Sequence, residues 1–382
     1  MSYDVEALRR REFPWAAAGE TIFLNNASTG PLPERTVRVT EEWAKLRANP
    51  QRVGADLQFG TLAKARELIA RLVGAETGEI AVATNTTYGL NLAAFSLPLK
   101  KGDVVLSPDF EFPANVYPWM ALAERRGVEY RRIVCDEGVL DSARLLRELE
   151  DERIRAVAVS WVQFASGARV DLDALGSICR ERGVFFVVDA IQGVGPLMLD
   201  LSKTHVDILS CGAQKWLLAP WGSGFVYVRK ALIETLEPYD VSWLAVRNAD
   251  DFSRLVDYDF TWRSDARKYE FVTLPYQDMA GMNASLELIH EVGPIAVSEH
   301  ALSLAQVIVD WTCDRDDVEL VTPRDASRRA AVISVRPRDP RAASVRLTEA
   351  GVAHSLREGA IRLSPHFYNT REEVLRALEL VT

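Results

Sequence analysis

A chain of 382 residues is longer than one hydrophobic core usually organises, so a large domain with a smaller companion is expected. Its 54 acidic against 45 basic residues leave a formal charge of −9 with no polybasic run, which argues against nucleic acid or an anionic membrane as a partner. Cys135, Cys179, Cys211 and Cys313 show neither metal-ligand spacing nor a disulfide framework, the opening MSYDVEALRRREFPW lacks a signal peptide's apolar core, and no apolar run is long enough for a bilayer; a cytoplasmic protein is expected.

Between residues 79 and 229, short strand-like runs follow one another: EIAVA, DVVLS, VEYRRIV, IRAVAVSWV, VFFVVDA, HVDILSC and GFVYVRK. Amphipathic stretches such as LDSARLLRELED and LDALGSICRERG lie between several of them, ended by charge or glycine. This alternation predicts an α/β fold with a mostly parallel sheet covered on both faces, and the continuous apolar run VFFVV fits a strand buried on both sides. After residue 276 the pattern changes to two long helices, DMAGMNASLELIHEV and IAVSEHALSLAQVIVDWTC, then the strand-like AAVISVRP and AIRLSP and a closing helix, a smaller α+β unit. No repeat and no flexible linker separates the two parts.

In an open parallel sheet, ligands bind beyond the carboxyl ends of the strands, so strand-ending residues carry most of the functional information. VFFVVDA ends in Asp189, HVDILSCGAQK delivers Lys215 one short turn after a strand, and EIAVATNTTYG ends in hydroxyls before a helix. Each has an ordinary reading too: Lys215 as a solvated charge, Asp189 as a helix cap, Thr86 and Thr87 as N-caps. Together they supply what pyridoxal 5′-phosphate (PLP) requires: an amine for its aldehyde, a carboxylate for its pyridinium nitrogen, and donors for its phosphate.

The run VVDAIQ…SCGAQKWLLAPWGSGF resembles the signature of the class V aminotransferase family of fold-type I PLP enzymes, which includes cysteine desulfurases, isopenicillin N epimerase-like proteins and kynureninases. IFLNNASTGPLP is similar to that family's opening strand and loop, TNTTYGLN to its phosphate loop, KYEFVTLP to its aromatic-Glu-x-x-Thr segment and IRLSPHFYNT to its carboxylate-binding strand. The resemblance implies a large PLP-binding domain over 21–282 and a small domain from 1–20 and 283–382. It implies Lys215 as the Schiff-base lysine, Asp189 as partner of the pyridinium nitrogen and Gln192 as a contact to the ring hydroxyl. Thr86, Thr87 and Gln214 would hold the phosphate, and Thr273 would reach it from the second subunit of a homodimer. Gln163 would lie near the ring, Phe112 would stack on it with Phe110 as the alternative, and Arg362, helped by Asn26, would clamp a substrate carboxylate.

Three departures bear on the reaction. Desulfurases carry a nucleophilic cysteine on a mobile loop of the C-terminal half, whereas no cysteine follows Cys313, which reads as a buried helix residue. A phenylalanine stands where desulfurases stack a histidine, and Gly212 and Gln214 stand where many relatives have Ser and His. Chemistry needing only the lysine as base remains: an aminotransferase first, with an epimerase or C–S/C–C lyase as alternatives and an idle partner-binding relative as a different class. Trp221 and Trp262 would either line an aromatic pocket or serve packing.

Overall fold

The computed structural model describes residues 3–382. Seven strands form the central sheet, in spatial order Ile80–Ala83, Gly224–Val228, Ile208–Gly212, Phe185–Asp189, Ile154–Ser160, Val104–Pro108 and Glu129–Ile133. All run parallel except Gly224–Val228, which is antiparallel to both neighbours, so the sheet is mixed at one place. Side chains alternate between two buried layers: Val187 and Ile208 pack into one core, and Phe186, Val188 and Leu209 into the other. Period-2 alternation buried on both faces gives the near-continuous apolar strands of a covered parallel sheet.

On one face, the helix Tyr276–Val292 packs against Glu34–Arg47 and Ala55–Val73. Gly293, at φ 95°, and Pro294 then turn the chain by 82° into the helix Pro294–Trp311. No single helix among the described residues is long and apolar enough to cross a membrane.

A four-stranded antiparallel sheet, Ser355–Arg357, Ala360–Leu363, Ile333–Pro337 and Val318–Leu320, builds the C-terminal part. Ile22 and Leu24 join its core, and Ile22–Phe23 pairs in parallel with Val352–Ala353. The first helix, Val5–Glu12, is fastened to the same end of the chain by Arg9, whose guanidinium donates to the Glu373 carboxylate at 2.8 Å and to the Tyr368 carbonyl at 2.9 Å.

Cys313 corrects an expectation. It is exposed just past the helix Pro294–Trp311, where its sulfur meets Arg324 at 2.7 Å, because the helix ends before the thiol can turn inward.

Candidate active site

The parallel strands bring their carboxyl ends to one edge, and the register does the rest. Ser160 lies opposite Asp189, Asp189 opposite Ser210, and Gly212 opposite Gly224, which in turn faces Ala83. The loops leaving these positions carry Gln163, Gln192, Lys215 and Thr86, so residues scattered over about 130 positions meet at one rim.

Lys215 is the centre of charge. Burial pulls its amine down to about 8, while the neighbouring Asp189 carboxylate opposes that and the Arg362 guanidinium adds to it. Its Nζ lies 5.7 Å from the centroid of the Phe112 ring. Burial pushes the Asp189 carboxyl up to about 7, against the Ile191 N–H, which donates to it at 3.0 Å. A cationic group brought against Asp189 would restore its charge.

The loop around the lysine is held from several sides. Gln192 accepts from the Trp216 indole at 2.7 Å and donates to the Ala27 carbonyl at 2.9 Å, so one amide joins the opening loop to the residue after Lys215. His366, kept neutral by burial, donates from Nε2 to the Trp216 carbonyl at 2.9 Å. The Gly30 N–H donates to the Gln214 carbonyl at 2.8 Å, and a β-carbon on Gly30 would lie 2.2 Å from the Lys215 carbonyl oxygen. Leu218 is held at φ 54°, a conformation an L side chain reaches only where its surroundings impose it.

Thr86 and Thr87 open the helix Thr86–Ser96, whose N-cap, Asn85, accepts from the Tyr88 N–H at 2.9 Å. The N–H groups of Thr86 and Thr87 therefore face the site without intrahelical acceptors, at the positive end of the helix dipole. Gly212 donates its N–H to Thr86 Oγ1 at 2.8 Å. A β-carbon at Gly212 would fall 2.5 Å from Gln214 Oε1 and 3.2 Å from Thr86 Oγ1, so the absent side chain keeps this cradle open.

Arg362 is buried and has no carboxylate partner among the described residues. Its guanidinium donates to the Phe164 carbonyl at 2.6 Å and to Ser28 Oγ at 2.7 Å, with Ser355 Oγ at 3.4 Å, and its Nε finds no acceptor. Burial lowers it to about 10, which leaves it charged at neutral pH. The Phe164 ring meets the Phe112 ring edge-on at 5.3 Å and so joins the arginine to the lysine side of the site.

Lys215, Asp189, Thr86, Gln192, Gln214, Phe112, Gln163 and Arg362 are thus linked through a few contacts. Phe112, rather than Phe110, lies beside the amine. Asn26 is fully buried, with its oxygen accepting from the Tyr368 hydroxyl at 2.9 Å and its amide donating to the Ser364 carbonyl at 2.8 Å. Thr273 is exposed, and no contact among the described residues joins it to Lys215, Asp189 or Thr86. Ser28, Ser355 and Glu111 also belong to this neighbourhood. The first two carry no distinguishing sequence signal; Glu111, an acid set between two phenylalanines in DFEFPAN, does.

These residues fit PLP on the structure's own terms: a partly deprotonated amine, a buried acid, an open cradle at a helix start, and two buried polar atoms, Gln163 Oε1 and Arg362 Nε, with no partner among the described residues. Comparison with known proteins agrees. The family described as Aminotransferase class-V matches residues 22–376. A probable cysteine desulfurase of Methanothermobacter thermautotrophicus is 29% identical over 387 residues, covering 96% of this chain and 94% of that one. The isopenicillin N epimerase of Streptomyces clavuligerus is 31% identical over 377 residues, covering 94% and 95%. Among solved structures, a mutant of C-DES with glycine covalently linked to its PLP cofactor superimposes with a TM-score of 0.87 at 22% identity, covering 98% of both chains. The chain therefore belongs to the class V aminotransferase family, PLP enzymes of fold-type I, and PLP is its cofactor.

Proposed function

We propose that this enzyme is a cytoplasmic aminotransferase acting on an α-amino acid, with Lys215 as the group that carries the cofactor and moves the α-proton. The observation that carries this reading is the pairing of a buried, carboxylate-free Arg362 with a buried amine titrating near neutrality. PLP supplies the electron sink that acidifies the α-hydrogen of an amino acid joined to it. Arg362 fixes the substrate carboxylate with a two-pronged donor set, which orients the α-hydrogen toward the lysine. Lys215, half neutral near pH 8, takes that proton on Nζ and returns it. With PLP bound, Asp189 would hold a negative charge for its ring nitrogen, Thr86, Thr87 and Gln214 would hold its phosphate, and Phe112 would cover the site from water.

Although several compared relatives, the Methanothermobacter protein among them, bear the name cysteine desulfurase, the thiols of this chain argue against that chemistry. The hairpin before Arg362, Ser355–Arg357 to Ala360–Leu363, turns tightly through Glu358 and Gly359 and bears no cysteine. Cys211, beneath the lysine, is fully buried, and burial pushes its thiol far up, which makes it a packing residue rather than a nucleophile. The 31% identity to isopenicillin N epimerase favours epimerisation as the second reading.

Single-turnover spectra separate the outcomes. Given an amino donor alone, an aminotransferase converts stoichiometric cofactor to pyridoxamine phosphate, recovered by chromatography. An epimerase exchanges the α-hydrogen with deuterated water, inverts the centre and leaves PLP unchanged. Sulfide released stoichiometrically from cysteine would refute both.

A further inference from the structure

Glu111 lies on the turn between the strand Val104–Pro108 and the short helical turn Pro113–Asn115, with its carboxylate inside the protein. Oε1 accepts from the Ser160 N–H at 2.8 Å and from Gln163 Nε2 at 3.0 Å; Oε2 accepts from Asn115 Nδ2 at 3.0 Å and from the Ser160 hydroxyl. Asn115 cannot turn over, because its oxygen accepts from the Trp119 indole at 3.2 Å and an indole can only donate. Glu111 thus meets four donors and no cation among the described residues. Burial pushes its carboxyl up while those donors oppose the shift.

Glutamine of similar shape would avoid the cost of a buried charge, but its amide nitrogen would face a donor at either position, the Ser160 N–H or Asn115 Nδ2. What the carboxylate does, and an amide would not, is accept only. Gln163 is forced to turn its Nε2 toward Glu111 and its oxygen away, and that oxygen is buried with no partner among the described residues. Ser160, which donates twice to Glu111, lies opposite Asp189 in the sheet.

We propose that Glu111 is a positioning residue of the cofactor site: it locks the Gln163 amide in one orientation, with the free oxygen toward bound PLP. This rests on Gln163 contacting the cofactor, but not on which reaction follows. The other titratable groups around Glu111 are Asp189 on the inner strand, Tyr130 on the outer strand Glu129–Ile133, and Lys215 beyond Asp189.

The test uses resting holoenzyme without amino acid, so an epimerase outcome leaves it standing. In Glu111→Gln, the PLP dissociation constant should rise about tenfold, the loss of one well-made hydrogen bond. The visible band of bound PLP should shift in its pH midpoint by about half a unit or more. The KM for amino donor should change less than about twofold, because Arg362 is untouched. Adding Gln163→Leu to Glu111→Gln should weaken PLP no further than Gln163→Leu alone, since one residue acts through the other. Wild-type PLP affinity and spectrum in Glu111→Gln, or additive losses in the double variant, would overturn the proposal. Should Glu111→Gln fail to fold, Gln163→Leu decides: it must itself move the pH midpoint of the visible band by about half a unit or more, and an unchanged spectrum refutes the idea.

Discussion

Arg362 holds a full positive charge in the interior on three neutral oxygens, which solvate it less well than a carboxylate would. A substrate carboxylate bound there, as proposed, would supply the charged acceptor that these oxygens do not. Arg362→Ala should therefore lower kcat/KM for amino-acid substrates by about 2–5 kcal/mol, chiefly through KM, with PLP affinity little changed. Arg362→Lys should remain impaired, since an ammonium cannot serve the Phe164 carbonyl, Ser28 and a carboxylate with one planar fork. Steady-state kinetics on both variants check this, and unchanged kcat/KM in either would redirect attention to another cation. Lys215 gives a second expectation. Its amine is pulled down to about 8, so the neutral form that PLP uptake consumes dominates above that pH and is lost below it. Uptake of PLP by apoenzyme should slow roughly tenfold per pH unit below 8 and level off above it. Stopped-flow absorbance measures it; a midpoint near the ordinary lysine range would show that burial does not govern the amine.

At the scale of elements, the helix Thr86–Ser96 brings its N-terminal end to the site only because it lies flat on the sheet, and Gly89 allows that. A β-carbon there would come 2.3 Å from Ser210 Oγ and 2.6 Å from Val226 Cγ2. Ser210 cannot swing away without releasing its 2.8 Å bond to the Thr86 carbonyl. Gly89→Ala gains about 1 kcal/mol of helix propensity but overpacks the interface by about 1–3 kcal/mol, so it should lower the melting temperature and weaken PLP binding together. Calorimetry with and without PLP tests this, and a variant as stable and as tightly loaded as wild type would contradict it. The same elements mark what sequence could say. Asp189, Lys215 and Thr86 were legible because parallel strands end at a common edge and chemistry-bearing residues follow those ends directly. The reversed strand Gly224–Val228 was not, since alternation of apolar residues carries no direction. Neither were the helices Glu34–Arg47 and Ala55–Val73, which precede the strand-helix alternation, nor the role proposed for Glu111, whose four donors come from three residues, at positions 115, 160 and 163, that meet only in the folded chain.

For the molecule as a whole, the segment from Val241 to Phe260 leaves an unusual amount of aromatic surface in water. Tyr258 is 90% exposed and Phe260 72%, beside a groove of about 600 Å³ lined by Val241, Trp243, Leu255 and Phe260. A soluble monomer seldom keeps so contiguous an apolar patch. Thr273 is exposed close by in sequence and has no contact to the site of its own chain among the described residues, as expected of a group that serves a neighbour. We therefore expect a two-fold homodimer in which each chain covers this surface of the other, the commonest closed arrangement for identical subunits. Sedimentation velocity at micromolar concentration should give a single species of twice 42.6 kDa. Tyr258→Asp combined with Phe260→Asp should shift it toward monomer, because two charges would have to be desolvated on each side of the interface. The monomeric fraction should also hold PLP more weakly, since Thr273 of the neighbour would be withdrawn, whereas Thr273→Ala should weaken PLP without dissociating the dimer. A wild-type chain that sediments as a monomer with full PLP occupancy and activity would defeat this account, and a dimer indifferent to Tyr258 and Phe260 would move the interface elsewhere on the surface.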